Sequence, residues 1–204
     1  MKGEYLRKYL VMGSRNCDYD PLLVLDKALH GGITCFQYRE KGEMALKGEA
    51  MYSLGHKLRR KCAEADIPFI VNDDVELFGA LNADGIHVGQ SDQSVEEIRA
   101  KYPNTIIGLS VSNRKELDQS PVQLVDYLGA GPMFATTTKK DTKEVIGPEW
   151  VKEVKHLYPD VPVVGIGGIG PENSERVIKA GADGVAVISA ITKAKDISAV
   201  IKSL

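Results

Sequence analysis

A loop-forming stretch with the residue types of an anion site lies at 129–143, GAGPMFATTTKKDTK. Its threonine hydroxyls donate hydrogen bonds, its lysines carry positive charge, and Gly129 and Gly131 would let the backbone approach a ligand closely. The polar members are Thr136, Thr137, Thr138, Lys139 and Lys140. The stretch predicts a site for an anionic ligand, and a solvated polar loop is the alternative when it is taken alone.

A second basic segment ends the apolar run that begins at residue 33. It reads Phe36, Gln37, Tyr38 and Arg39, and Lys41 follows two residues later. Side chains alternate along a strand, so Gln37 and Arg39 share one face while Phe36 and Tyr38 face the other. A buried arginine needs a carboxylate or a ligand, because leaving its charge unpaired is costly. The segment predicts a phosphate clamp, with a structural acid paired to Arg39 as the alternative.

Carboxylates follow two further apolar runs. Asn72, Asp73 and Asp74 follow one of them, and Asp92 lies in the loop after the next. Two carboxylates from adjacent strand ends suit Mg²⁺, which binds one or two carboxylates together with substrate phosphates. We therefore predict a Mg²⁺ site on Asp73 and Asp92. Asp74 is better placed to cap the following helix, and capping of the helix near Ser94 remains open for Asp92.

Short apolar runs alternate with helical spacing along the whole chain. The predicted strands are 6–12, 33–39, 68–71, 85–88, 106–110, 124–128, 161–166 and 184–188. The predicted helices are 21–30, 44–65, 75–81, 94–100, 114–118, 149–157, 172–180 and 197–204. Strict alternation favours parallel strands, and this number of units favours a closed (β/α)8 TIM barrel of the α/β class over an open sheet. One domain is predicted over residues 1–204.

The carboxyl ends of barrel strands carry the catalytic residues, which gives weight to the polar residues found there. Ser110 falls at such an end, although a structural serine fits its spacing equally well. The glycine-rich stretch 165–169 and the residues at 188–190 predict a second, smaller phosphate site after the last two strands. His87 has no second ligand at metal spacing, so the pattern favours a core histidine over a ligand or base.

Composition excludes several classes of protein. The 204 residues carry a net charge of −2, and the densest basic run, 57–61, fits a solvated helix face, so nucleic acid is a poor candidate partner. No stretch has the ~20 apolar residues of a membrane span, and no signal peptide is recognisable, which predicts a soluble, cytoplasmic protein. The three cysteines suggest neither a disulfide framework nor a zinc site.

The chain resembles the thiamin phosphate synthase family from about residue 6 to its C-terminus. The motifs that carry the resemblance are QYREK at 37–41, IVNDD at 70–74, ADGIHVGQSD at 83–92, GLS at 108–110, GPMFATTTKKD at 131–141, VVGIGGI at 163–169 and GADGVAVISAI at 181–191. The resemblance implies a (β/α)8 barrel enzyme with two small phosphorylated substrates. It would join 4-amino-2-methyl-5-(diphosphooxymethyl)pyrimidine to 4-methyl-5-(2-phosphooxyethyl)thiazole, giving thiamin phosphate and pyrophosphate.

The resemblance also implies a role for each matching residue. The implied pyrimidine diphosphate site is Gln37, Tyr38, Arg39, Glu40, Lys41, Asn72, Ser110 and Lys139. The implied thiazole phosphate site is Thr136, Thr137, Thr138, Gly168, Ile188 and Ser189. Arg39, Lys41, Ser110 and Lys139 would be catalytic, and Asp73 and Asp92 would hold Mg²⁺. The residues leave the oligomeric state open.

The implied reaction is dissociative, since the C–O bond to pyrophosphate breaks before the thiazole nitrogen attacks. That nitrogen has a lone pair, so no general base is required. The chain departs from the family pattern at Ser112, where a histidine is usual, and at Ala135, where a proline is usual. A thiazole tautomerase and a non-catalytic thiamin phosphate sensor are the alternatives, and neither requires a magnesium-diphosphate clamp.

Overall fold

Parallel strands close into a barrel in the order β1 to β8, with β8 paired to β1. The computed structural model describes residues 3–136 and 144–204. The strands are β1 (Lys8–Met12), β2 (Cys35–Tyr38), β3 (Phe69–Asn72), β4 (Gly85–Val88), β5 (Ile106–Val111), β6 (Tyr127–Ala130), β7 (Val163–Ile166) and β8 (Gly184–Val187). The predicted (β/α)8 barrel is confirmed.

Helices surround the barrel and connect its strands. They are α1 (Pro21–Gly31), α2 (Gly48–Glu64), α3 (Val75–Leu81), α4 (Val95–Lys101), α5 (Arg114–Asp118), α6 (Glu149–Leu157), α7 (Ser174–Lys179), α8 (Ser189–Thr192) and α9 (Ile197–Lys202). Short 3₁₀ helices occur at Glu4–Leu6, Ser14–Asn16 and Val122–Leu124. The short α8, directly after β8, was not predicted from the sequence.

Alternation along the strands creates two separate cores. In β1, Leu10 and Met12 pack outward against the helix layer, whereas Tyr9 and Val11 point into the barrel. The interior set also includes Leu6, Cys35, Ile70, Tyr127, Val164 and Ala186. Burial of one large apolar side chain contributes about 1.5–3 kcal/mol. The outer core therefore fixes the helices, and the inner core fills the barrel below its mouth.

Side-chain caps begin several of the helices. Asp74 accepts a hydrogen bond from the backbone N–H of Leu77 at 2.8 Å, which confirms its predicted capping role. Ser94 accepts from the N–H of Glu97 at 3.2 Å, so Ser94 caps α4. Because Asp92 is not the cap, the alternative reading of its carboxylate is wrong.

The tripeptide Ala-Asp-Gly occurs twice, at 83–85 and 182–184, and its aspartates stabilise the amino ends of strands. Asp84 accepts from the backbone N–H of Phe69, and Asp183 accepts from that of Val163, each at 2.8 Å. Each aspartate thereby joins its own strand to the strand before it. The amino ends of the strands therefore serve stability, whereas the carboxyl ends carry the candidate site residues.

Several boundaries differ from the sequence-based prediction, and two of the differences have clear physical reasons. The sixth strand was predicted at 124–128 but spans Tyr127–Ala130, because Leu124 and Val125 pack from outside the sheet. The second helix was predicted from residue 44, yet Met44 is exposed and has φ 63°, a left-handed conformation that a helix cannot contain.

The basic run at 57–61 was interpreted as a solvated helix face rather than a nucleic-acid site, and in the structure it forms ion pairs within the protein. Lys61 pairs with Asp26 at 2.6 Å, and Arg59 pairs with Asp84 at 2.8 Å. Two of its cations are thus engaged within the protein. Across the ranges 3–136 and 144–204, no helix combines the length and apolar character that crossing a membrane would require.

Candidate active site

Four charged side chains that the sequence singled out lie together at the carboxyl ends of the strands. Lys41 Nζ lies 2.5 Å from Asp73 Oδ2, and Asp73 is near enough to Asp92 for its charge to raise the pKa of Asp92. The guanidinium of Arg39 is close enough for its charge to interact with Asp73. We call these residues, Arg39, Lys41, Asp73 and Asp92, the charged cluster.

Asp92 is held in an environment that disfavours its negative charge. Partial burial and the neighbouring Asp73 raise the pKa of Asp92, whereas a hydrogen bond from the Gly89 N–H and the charge of Lys41 oppose this. The Gly89 N–H donates to Asp92 Oδ2 at 2.7 Å, which fixes the carboxylate in place. Two carboxylates this close repel each other, and a cation between them relieves the repulsion.

The carboxylate pair fits Mg²⁺ and does not form a complete protein cage. In the described part of the chain, no group of three or more His, Cys, Asp or Glu side chains is placed to hold a metal ion. Mg²⁺ is commonly bound through one or two carboxylates together with water and substrate phosphates. Asp73 and Asp92 supply that donor set and leave positions for a diphosphate.

Asp73 adopts a backbone conformation that few side chains tolerate. Its φ is 61°, in the left-handed region, yet its N–H still donates to the carbonyl of His87 at 2.9 Å. Aspartate and asparagine are the side chains that enter this region most readily. Strain of this kind persists where surrounding structure enforces it, and it concentrates at functional sites.

Arg15 is a basic residue of the mouth that sequence reasoning missed. Burial lowers the pKa of Arg39, whereas the negative charge of Asp73 raises it. The positive charge of Arg15 lowers the pKa of Arg39 further, so the guanidinium groups of Arg15 and Arg39 lie near each other. Arg15 also lies over Gly42, where an added Cβ would be 2.2 Å from its Nη1. Its position directly after β1, at a predicted strand end, was the available signal.

Two residues of the implied pyrimidine diphosphate site have their side chains engaged elsewhere. The Tyr38 hydroxyl donates to the carbonyl of Met51 at 3.0 Å, on the helix side of β2. The Glu40 carboxylate accepts from the N–H groups of Ser14 at 2.8 Å and Leu46 at 2.9 Å. Both side chains thus have partners within the protein, and Glu40 joins the first two loops of the mouth. Their contact with the diphosphate stays a prediction.

Gln37 and Ser110 lie on the barrel interior, below the charged cluster. Gln37 is buried and donates from Nε2 to the Tyr9 hydroxyl at 2.8 Å. Ser110 Oγ lies 2.8 Å from His87 Nε2. His87 also bonds a tyrosine through Nδ1, so both of its ring nitrogens have partners, as predicted, although the ring is only partly buried. Asn72 ends β3 directly before Asp73 and is partly buried.

The loops after β6 and β7 are joined backbone to backbone. The N–H of Met133 donates to the Ile166 carbonyl at 2.9 Å, and that of Phe134 donates to the Gly167 carbonyl at 3.0 Å. Gly168 has φ 63°, and a Cβ there would lie 2.6 Å from the carbonyl of Ala135. Only glycine fits this contact. The contact places Ala135, the residue before Thr136, against the loop that follows β7.

The remaining members of the implied thiazole phosphate site divide into two groups. Ile188 and Ser189 follow β8, which pairs with β7, so they lie on the same side of the mouth as Gly168. Thr137, Thr138 and Lys139 lie outside the described residues. The structure thus brings Thr136, Gly168, Ile188 and Ser189 to neighbouring strand ends.

Gly129 and Gly131 pack closely against other parts of the protein. A Cβ at Gly129 would lie 3.0 Å from His87 Cε1, and one at Gly131 would lie 2.2 Å from the carbonyl oxygen of Ile166. The absent side chains make room for other atoms of the protein. Packing within the protein accounts for both glycines, and their approach to a ligand stays a prediction.

A family model described as Thiamine monophosphate synthase matches residues 8–191. The chain belongs to the thiamine monophosphate synthase family. Thiamine-phosphate synthase of Oceanobacillus iheyensis is 52% identical to it over 199 residues, covering 98% of this chain and 97% of the relative. Thiamine-phosphate synthase of Streptococcus suis is 47% identical over 197 residues, covering 96% and 86% of the two chains.

A solved structure supports the same assignment. Thiamine phosphate pyrophosphorylase from Pyrococcus furiosus matches with a TM-score of 0.86 and 35% identity, covering 98% of this chain and 94% of that chain. Membership in the thiamine monophosphate synthase family confirms the predicted resemblance, and with it a transferase of thiamin biosynthesis that acts on small phosphorylated substrates. The individual residue roles and the Mg²⁺ site stay predictions.

Proposed function

We propose that this protein condenses the aminopyrimidine methyl diphosphate with the thiazole phosphate, releasing pyrophosphate and forming thiamin phosphate. The observation that supports the proposal most is the charged cluster, in which Lys41 contacts Asp73 and the Asp73 carboxylate lies close enough to Asp92 to raise its pKa. A diphosphate leaving group requires positive charge at this place, and the cluster provides it within a family of thiamin phosphate synthases.

The carboxylates and the cations of the cluster have different roles. Asp73 and Asp92 would hold Mg²⁺, which when bound neutralises charge that develops on the departing diphosphate. Arg39 and Lys41 donate hydrogen bonds to the diphosphate oxygens as the C–O bond breaks and negative charge accumulates on them. Lys41 exchanges its partner Asp73 for the substrate, so its charge is already in position before the reaction begins.

Gln37, Asn72 and Ser110 orient the pyrimidine below the diphosphate. The breaking bond leaves positive charge on the methylene carbon, and the electron-rich aminopyrimidine ring delocalises that charge. The chain therefore needs to hold the ring in place and keep the cation near its nucleophile. Lys139, by resemblance, completes the diphosphate site from the loop after β6.

The second substrate binds across the loops of β6, β7 and β8. Backbone N–H groups near Gly168 and Ser189, with the hydroxyl of Thr136 and of the threonines that follow it, hold the thiazole phosphate. This arrangement directs the thiazole nitrogen toward the methylene carbon. The nitrogen attacks with its own lone pair, so no side chain is required to remove a proton.

A cytoplasmic location is part of the proposal. Cys17, Cys35 and Cys62 are all free thiols, and the last two are buried. Proteins of oxidising compartments commonly contain disulfides, whereas cytoplasmic proteins keep their thiols reduced. Fractionation of cells that produce the tagged chain would test this, with recovery among secreted proteins as the contrary result.

One assay tests the proposed reaction against its alternatives. Purified protein is mixed with both substrates, with and without Mg²⁺, and released pyrophosphate is measured. We expect release only when both substrates and Mg²⁺ are present. A thiazole tautomerase or a non-catalytic sensor would release none, and that result would reject the proposal.

A further inference from the structure

A continuous row of hydrogen bonds crosses the barrel interior and ends at two of the proposed pyrimidine contacts. Gln37 Nε2 donates to the Tyr9 hydroxyl at 2.8 Å, which lies 2.8 Å from the Tyr127 hydroxyl. Tyr127 lies 3.0 Å from His87 Nδ1, and His87 Nε2 lies 2.8 Å from Ser110 Oγ. We call these five side chains the interior chain; they come from β2, β1, β6, β4 and β5.

The interior chain is built into the barrel floor. Tyr9 and Tyr127 are at most 2% exposed and meet edge to face at 6.0 Å, and the His87 ring lies 5.4 Å from that of Tyr127. Gly108 leaves the necessary space, since a Cβ there would lie 2.2 Å from Tyr127 Cζ. Branched aliphatic residues ordinarily fill a barrel interior, so this row of polar side chains departs from the usual packing.

Donor and acceptor chemistry, starting from the Gln37 amide nitrogen, assigns one direction to the hydrogen bonds of the interior chain. The amide nitrogen of Gln37 can only donate, so the Tyr9 hydroxyl accepts from it. The Tyr9 hydrogen is then directed to the Tyr127 oxygen, a stronger acceptor than the nearby thiol of Cys35. Tyr127 donates in turn to His87 Nδ1. Burial raises the pKa of both tyrosines well above the ordinary value, which keeps them as neutral donors.

The direction determines what the two ends can do at the mouth. With Nδ1 accepting, His87 has its hydrogen on Nε2 and donates it to Ser110 Oγ. The Ser110 hydroxyl hydrogen then points away from His87 and is available as a donor. At the other end, the Gln37 nitrogen donates one hydrogen to Tyr9, and the Gln37 carbonyl oxygen is the acceptor that its side chain can offer to a ligand.

We propose that Tyr9, Tyr127 and His87 are positioning residues that set the pocket to one acceptor, on Gln37, and one donor, on Ser110. That pattern matches a 4-aminopyrimidine, whose amino group donates and whose ring nitrogens accept. A 4-oxopyrimidine presents the reverse pattern and meets an acceptor with an acceptor. The inference rests on the proposed function in placing the pyrimidine here, and it assigns the selection of its amino form to residues that act through Gln37 and Ser110.

Equilibrium binding tests the inference without requiring turnover. The probes are 4-amino-5-hydroxymethyl-2-methylpyrimidine and its 4-oxo analogue, titrated into the intact protein by calorimetry. Sites that read a hydrogen-bonding group can discriminate by several orders of magnitude, so we expect wild type to prefer the amino probe by at least about 100-fold. Tyr127→Phe removes one oxygen at the middle of the chain, and we expect the preference to fall about tenfold or more.

The matched control is Tyr102→Phe. Tyr102 packs edge-on against Phe78 at 5.0 Å in the helix layer, outside the interior chain, so the same atom is removed without changing the pocket. We expect this variant to keep the wild-type preference. His87→Gln retains an N–H that can donate toward Ser110, so it should keep more of the preference than His87→Leu, which cannot donate.

The kinetic readout separates positioning from a general loss of structure. In Tyr127→Phe, the KM for the pyrimidine diphosphate should rise about tenfold, whereas the KM for the thiazole phosphate should stay as in wild type. If Tyr127→Phe does not fold, Tyr9→Phe interrupts the same chain one bond away and is interpreted in the same manner. An unchanged amino-over-oxo preference in a folded variant would overturn the inference.

The outcomes also separate this inference from the proposed function. Absence of pyrophosphate release by wild type would reject the synthase reaction, while a binding preference that depends on Tyr127 would still support the interior chain. Conversely, an active synthase that binds both probes equally would retain the reaction and overturn the role of the chain.

Discussion

Lys41 Nζ contacts Asp73 Oδ2 at 2.5 Å, so a base and an acid of the mouth pair directly with each other. The Lys41 side chain is about half exposed, and exposed pairs contribute less than about 1 kcal/mol to stability. The contact is therefore easily exchanged for a diphosphate. It holds the lysine in position at little cost to substrate binding.

Replacement of Lys41 should affect catalysis more than stability. We expect Lys41→Ala to lower kcat/KM for the pyrimidine diphosphate by about 10–100-fold, because a cation that faces the leaving group is lost. The thermal midpoint should change by less than about 2 °C. Lys152→Ala, which removes an exposed pair with Glu149, is the control. Equal kcat/KM in the Lys41 variant and the control would remove Lys41 from the clamp.

Asp92→Asn should stabilise the metal-free protein while impairing the enzyme. The pKa of Asp92 is raised in the folded state, so its ionised form opposes folding at neutral pH. Asparagine keeps an oxygen that can accept from the Gly89 N–H but removes the charge. In a chelator at pH 7 we expect a rise of about 1–3 °C in the thermal midpoint, vanishing below about pH 4, where the aspartate is protonated in both states.

The same Asp92→Asn protein should need more Mg²⁺. Pyrophosphate release measured over a Mg²⁺ titration should reach half its maximum at a concentration at least tenfold higher than in wild type. Asp74→Asn is the matched control, because asparagine also caps a helix and Asp74 holds Leu77 rather than a metal. An unaltered Mg²⁺ titration in Asp92→Asn would exclude this carboxylate from the metal site.

Gly108→Ala should damage the floor of the pocket. The added Cβ would lie 2.2 Å from Tyr127 Cζ and 2.4 Å from His87 Nδ1, so both rings must move. We expect a loss of about 1–3 kcal/mol in unfolding free energy, measured by urea denaturation, as in other overpacked cores. Gly79→Ala, within α3 and 3.6 Å from the Tyr102 hydroxyl, should be neutral or slightly stabilising. Equal stability of the two variants would show that the interior chain is loosely packed.

Lys139→Ala should lower turnover more than it weakens binding of the thiazole phosphate. The reason is that we assign this lysine, by resemblance, to the diphosphate leaving group rather than to the second phosphate. Steady-state kinetics with each substrate varied in turn would measure both effects. A large rise in the thiazole phosphate KM with unchanged kcat would place Lys139 in the second site instead.

Local signals predicted much of the fold. Helix α3 (Val75–Leu81) was predicted with its observed bounds, because its cap, Asp74, and its apolar spacing lie within a few residues of each other. The alternation that placed Tyr38 outward and Gln37 inward was also correct. The sixth strand was misplaced because apolar Leu124 and Val125 resemble a strand yet pack on the outer layer.

The site was predictable only in part, because contacts between strands depend on register. Resemblance assigns Tyr38 and Glu40 to the diphosphate site, but it does not predict that their side chains bond Met51 and Ser14. No pattern in the sequence joins Tyr9 to Tyr127, which lie 118 residues apart and meet at 2.8 Å. The closed barrel brings such residues together, so the interior chain could be recognised only from the structure.

A crystal structure with thiamin phosphate, pyrophosphate and Mg²⁺ tests the central claim most directly. We predict a metal ion bound by Asp73 and Asp92, with the pyrophosphate oxygens within hydrogen-bonding distance of Arg39 and Lys41. Pyrophosphate bound away from these four side chains, or a metal ion that neither aspartate touches, would contradict the account.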